Sequence, residues 1–164
     1  MIRKATVILG LKSSKIGTQV VQGLIPISPG MVQGSGKSAE NATILVVDDH
    51  SMTRTLVRSI LKGVGYGTVV QAESGASALA LLKTQTVDLI ICDWNMPNGN
   101  GLELLQALRA KDFTKKLPFL MLTAEAYREN VKAAAEAGVS DYVVKPFSAE
   151  TLVNKVEEIL KRLS

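Results

Sequence analysis

One cysteine, one histidine and one tryptophan stand in a chain of 164 residues, and aromatic residues make up only 4% of it. The lone Cys92 cannot close an internal disulfide, which suits a reducing compartment, and the cytoplasm is the expected location. With His50 as the only histidine, neither a zinc cluster nor a histidine-based triad can be assembled. No run reaches the ~18 apolar residues that a membrane-spanning helix needs. Met1–Lys4 followed by Ala5–Leu11 imitates a signal peptide, yet it carries Thr6 and Gly10, stops at Lys12 and meets no small-residue cleavage pattern. A concentration of one charge is missing too. The net charge of +4 comes from residues 1–41, where Arg3, Lys4, Lys12, Lys15 and Lys37 face Glu40 alone. The rest of the chain is neutral, so it offers no basic stripe for a nucleic acid.

What is present is enough apolar material, 46% of residues, for one packed core in a chain of single-domain size. Residues 1–41 read as an extension. Val7, Ile8, Leu9 and Leu11 could form a short strand and Val20, Val21, Leu24 and Ile25 half a helix, before Pro26, Pro29 and Gly30 break the pattern. Gly34-Ser35-Gly36-Lys37-Ser38 then reads as a linker. It ends like a phosphate-binding loop, but that motif needs four residues between its glycines, and five separate Gly30 from Gly36. Nucleotide binding is not expected there.

From residue 42 to 164 the text is regular and reads as one folded domain. Thr43–Val47, Val69–Ala72, Val87–Cys92, Phe119–Leu122 and Tyr142–Val144 read as strands, and Leu89–Cys92, apolar without polar alternation, has the pattern of a strand covered on both faces. Between and after them lie five helical stretches. The first follows Ser51, a candidate cap, with Met52, Leu56, Ile60 and Val64 inward. A short one lies near Ala76–Lys83. Gly101–Ala110 points Leu102, Leu105 and Leu108 inward, Arg128–Ala137 is alanine-rich and weakly seated, and Ala149–Leu163 buries Leu152, Val156, Ile159, Leu160 and Leu163. Strict alternation with right-handed crossovers predicts an α/β fold, a flavodoxin-like doubly wound (βα)5 unit whose five-stranded parallel sheet has the order 2-1-3-4-5.

Open sheets of this kind gather their ligands at the carboxyl ends of the strands. That edge would receive Asp48 and Asp49 from the first strand, Asp93 from the third, Thr123 from the fourth and Lys145 from the fifth. Taken singly, the two aspartates could be a strand end and a helix cap, the threonine a cap and the lysine a solvated side chain. Together they are hard to explain by packing. Crowded carboxylates need a cation, and hard oxygen ligands suit Mg²⁺. A hydroxyl and an ammonium across the pocket suit phosphoryl oxygens, so the pattern points to metal-assisted phosphoryl transfer onto a carboxylate.

Three segments carry a resemblance to a known family: Val46-Val47-Asp48-Asp49; Asp93-Trp94-Asn95-Met96-Pro97 with Gly101-Leu102-Glu103-Leu104-Leu105; and Thr123-Ala124-Glu125-Ala126 with Tyr142-Val143-Val144-Lys145-Pro146-Phe147. The chain resembles the receiver domains of two-component response regulators, most closely the single-domain chemotaxis regulator. The resemblance spans about residues 42–163. It implies that Asp93 is the phosphoacceptor for a sensor histidine kinase. Asp49 would bind Mg²⁺ directly, Asp48 chiefly through water, and Asn95 through its main-chain carbonyl, with Asp93 completing the metal site. Lys145 would pair with the acceptor, Thr123 would bond the phosphoryl oxygen, and Tyr142 would turn inward behind it. It also implies a cis bond before Pro146 and an output face on the fourth helix, fifth strand and fifth helix. The expected protein is a monomeric, stand-alone phosphorylation switch with a downstream protein target such as a flagellar motor switch. It would be a signalling protein and no enzyme, apart from catalysing its own phosphorylation and dephosphorylation.

Two alternatives compete. One is a phosphorelay intermediate that passes the group to another histidine. The other is a Mg²⁺-dependent phosphatase with an aspartate nucleophile, but such enzymes look for an acid two residues later, where Asn95 has no proton to give. A flavodoxin-like redox carrier would want a phosphate cradle where Asp48-Asp49-His50-Ser51 is acidic. The loop Asn98-Gly99-Asn100-Gly101 departs from the family, which commonly has Asp before the last glycine.

Overall fold

The computed structural model describes residues 39–124 and 127–162, so the readings of residues 1–38, Glu125-Ala126 and Leu163 lie outside the described residues. A short 3-10 turn (Ala39–Asn41) leads into β1 (Thr43–Val47). There follow α1 (Ser51–Gly63), β2 (Thr68–Ala72), α2 (Gly75–Leu81), β3 (Leu89–Asp93), α3 (Gly101–Arg109), β4 (Phe119–Thr123), α4 (Arg128–Glu136), β5 (Asp141–Val144) and α5 (Ala149–Lys161). All strand pairs are parallel, in the order β2-β1-β3-β4-β5, as the alternation predicts. The architecture is the flavodoxin-like doubly wound sheet.

The side-chain period of two splits the strands between two cores. Ile44, Val46, Leu89, Ile91, Leu120 and Leu122 face one way, against Val57 and Leu61 of α1 and Leu152, Val156 and Ile159 of α5. Leu45, Val47, Ile90, Cys92, Phe119 and Met121 face the other, against Ala78 of α2 and Leu104, Leu105 and Leu108 of α3. The central strands β3 and β4 are buried along their whole length, whereas β5, at the edge, buries only Val143. Among the described residues of α4 only Ala134 is buried, in line with a weakly seated helix.

Two helices sit in a different phase from the one the sequence suggests. In α1, Met52 is 84% and Leu56 52% exposed, and the buried pair is Val57 and Leu61, flanked by half-buried Ile60 and Val64. Both sets run at four-residue spacing, so periodicity alone cannot choose between adjacent stripes. The start differs as well: His50 is the N-cap, and Ser51 is the first helical residue. In α3, Leu104 takes the buried place assigned to Leu102. Elsewhere serines cap the helices, with a Ser74–Ser77 capping box on α2 and Ser148 accepting from the Thr151 amide on α5. Asn100 accepts from the Glu103 amide at 2.9 Å, so the departure from the family's aspartate keeps a side-chain cap on α3. The Lys145–Pro146 bond is cis.

Candidate functional site

Parallel pairing brings the strand ends into line. Val47 lies beside Cys92, Asp93 beside Leu122, and Thr123 beside Val144. The ladder continues one residue past each strand, as Trp94 donates to the Leu122 carbonyl and Lys145 to the Thr123 carbonyl, both at 2.7 Å. Asp48, Asp93 and Thr123 are thereby buried at the carboxyl edge, with exposures of 0%, 5% and 4%. The Lys145 ammonium reaches over β4 to donate to Asp93 Oδ1 at 2.7 Å and Asp48 Oδ2 at 3.1 Å. Carboxylates from β3 and from just past the end of β1 are therefore held by one side chain just past the end of β5.

Burial pushes the Asp93 carboxyl above its ordinary range; the Lys145 bond and charge pull it down, the weaker Asp48 and Asp49 charges push it up, and the net shift stays upward. For Lys145, burial pulls downward, but the bond and charge of Asp93, then Asp48, outweigh it and the ammonium is stabilised. Burial likewise raises the Cys92 thiol, which keeps it protonated where it packs under the sheet edge.

Two groups that strand-end logic does not find complete the pocket. Arg54, one turn into α1, donates to the Asp48 carbonyl at 2.6 Å and the Asp49 carbonyl at 3.3 Å, and to Gln71 Oε1 at 3.3 Å. His50 donates its backbone amide to Asp48 Oδ1 at 2.8 Å, and its ring turns back so that Nδ1 lies 3.0 Å from Asp49 Oδ1. The only sequence signal for either is proximity to the aspartate pair. Gly101 matters for space: a Cβ there would collide with the Asp93 carbonyl oxygen and stand 2.9 Å from Met121 Sδ. Its amide instead donates to the Trp94 carbonyl at 2.9 Å, which draws the start of α3 against the end of β3.

Asp49 Oδ1 is buried and accepts no hydrogen bond. Leaving such an oxygen unsatisfied costs about 1–3 kcal/mol or more for a charged group. One ligand atom each from Asp48, Asp49 and His50 lies within 4.8 Å of the others. An orphaned carboxylate oxygen in an acidic, oxygen-rich pocket is what a divalent cation satisfies, so these residues fit a metal. Asn95 lies two residues beyond Asp93 on the exposed rim. Tyr142 is set apart from the carboxylates: it is 39% exposed and lines a groove with Trp94, Thr123, Asn130, Val131 and Ala134.

The matches with known proteins agree with this geometry. Residues 44–157 match the model of the response regulator receiver domain. The chain is 45% identical over 124 residues to the chemotaxis protein CheY-3 of Vibrio cholerae, covering 76% of this chain and 95% of that one. It is 44% identical over 121 residues to the chemotaxis protein CheY of Pseudomonas aeruginosa, covering 74% and 98%. Among solved structures, CheY4 of Vibrio cholerae superposes with a TM-score of 0.68 at 37% identity over 73% of this chain and 98% of that chain. The receiver domain of the Francisella response regulator 1452 gives 0.69 at 31% identity over 76% and 100%. The sheet order, the strand-end acids and these matches converge: the chain belongs to the response regulator receiver domain family.

Proposed function

We propose that the chain is a phosphorylation switch of a two-component pathway, with Asp93 as the acceptor and residues 42–164 as the working unit behind an extension of residues 1–41. The observation that carries this reading is the Asp93 carboxylate, buried at the end of the central strand with Lys145 on Oδ1 and an unsatisfied Asp49 oxygen nearby. An oxygen of Asp93 forms the new bond to phosphorus as the phosphorus–nitrogen bond of a kinase phosphohistidine breaks, and the imidazole leaves with that electron pair. Asp49 would hold Mg²⁺ directly, Asp48 chiefly through water, Asn95 through its main-chain carbonyl, and Asp93 as the reacting ligand. The ion supplies neutralisation of the charge gathering on the transferred oxygens.

Lys145 keeps the acceptor ionised in a site whose burial opposes ionisation, and it stands ready to bond a phosphoryl oxygen. Thr123 closes on that group from β4. Tyr142 then swings from its exposed position into the groove behind Thr123, biasing the surface of α4, β5 and α5 toward a partner. The named relatives are chemotaxis proteins, which supports a histidine kinase upstream and a flagellar motor switch as the target.

Trp94, the sole tryptophan and next to Asp93, is the reporter. Its emission should change when Mg²⁺ is added and again on adding acetyl phosphate, and Asp93→Asn should lose the second change. A donor response that survives in the variant sinks the assignment of Asp93.

A further inference from the structure

Resting on the metal pocket just described, we propose that His50 is itself a ligand of the bound cation and tilts the site from Mg²⁺ toward late first-row ions such as Ni²⁺. His50 occupies the N-cap position of α1, where side chains commonly accept a bond from the helix. Here the ring makes no such bond. Its Nδ1 is turned toward the acids, 3.0 Å from Asp49 Oδ1 and 3.4 Å from Asp48 Oδ1. Neighbouring ligands on an octahedral ion with bonds of about 2.1 Å stand about 3 Å apart, so the spacing needs little adjustment.

The backbone holds this placement. The His50 amide is bonded to Asp48 Oδ1, and its carbonyl accepts from the Arg54 amide at 3.2 Å. The side chain is 71% exposed, so solvent reaches the ring from outside the pocket. Mg²⁺ selects hard oxygens, whereas an imidazole nitrogen favours later metals in the order Mn²⁺ < Co²⁺ < Ni²⁺. An all-oxygen pocket with one nitrogen added is thus a site of shifted selectivity.

The chain suits the test because it has no second histidine, and Cys92 is buried. The full, untagged protein is titrated separately with Mg²⁺ and Ni²⁺ while Trp94 emission is followed, alongside His50→Ala. His50 is exposed, so the variant should fold. The expected result is a fall of about tenfold or more in the ratio of Ni²⁺ to Mg²⁺ affinity, with Mg²⁺ affinity little changed. An unchanged ratio overturns the inference while leaving the Mg²⁺ pocket standing. A sharp rise in Mg²⁺ affinity also overturns it, since the ring then excludes the ion. If wild-type protein responds to neither ion, the pocket reading fails first and the inference with it.

Discussion

The two sides of the sheet's carboxyl edge are built differently. At β1 and β3, every residue from Ile44 to Asp48 and from Leu89 to Asp93 is buried, and the acids are braced by Arg54, His50 and Lys145. At β5 and α4, Val143 and Ala134 are the only buried residues, and Tyr142 and Val144 are each 39% exposed. Stability within a fold follows burial, and switching segments come from its less stable parts. The molecule thus sets a deeply buried, braced side of the edge beside a thinly buried one.

The largest expected effect breaks this contrast directly. Leu120→Ala, in the fully buried strand β4, should destabilise by about 2–5 kcal/mol, while Ala134→Gly on α4 should cost only about 1 kcal/mol. Denaturant unfolding of the two variants checks it, and equal losses would mean that α4 is as firmly seated as the centre. Next is Gly101→Ala, where the new methyl meets the Asp93 carbonyl and Met121. It should cost about 1–3 kcal/mol and slow labelling of Asp93 by acetyl phosphate. Gly63→Ala, which meets nothing within 4 Å, is the control and should be neutral or stabilising by about 0.4–1 kcal/mol.

The smallest effect concerns charge. Because burial raises Asp93, the folded state binds this proton more tightly than the unfolded one, and the ionised form weakens the fold at neutral pH. Asp93→Asn should therefore stabilise at pH 7, on the order of 1 kcal/mol. The gap should close as the pH falls through the raised value and on below about 4, where both states become protonated. Urea unfolding across that range measures it, and a variant less stable than wild type at pH 7 would show that the Lys145 pair outweighs the desolvation.

Much of this was legible beforehand. Aliphatic runs that end in Asp48, Asp93, Thr123 and Lys145 announce both the strands and the edge where their last residues meet, because a buried parallel strand has one readable composition and one functional end. Helix faces were less legible. Met52-Leu56-Ile60 and Val57-Leu61 are competing stripes on α1, and only the tertiary packing chooses the second. His50 and Arg54 were the least legible. What matters there is where a ring or guanidinium points after the chain turns, and no spacing rule encodes that direction.

The span of the Lys145 bonds has a consequence for biosynthesis. The ammonium joins partners that lie 52 and 97 residues earlier in the chain. At synthesis rates of 5–20 residues per second, Asp93 waits roughly 3–10 s for its lysine to be made. A chain not yet extended to Lys145 lacks the ammonium that joins Asp48 and Asp93. The full arrangement of this edge is thus tied to synthesis of the fifth strand's end, long after its acids have been made.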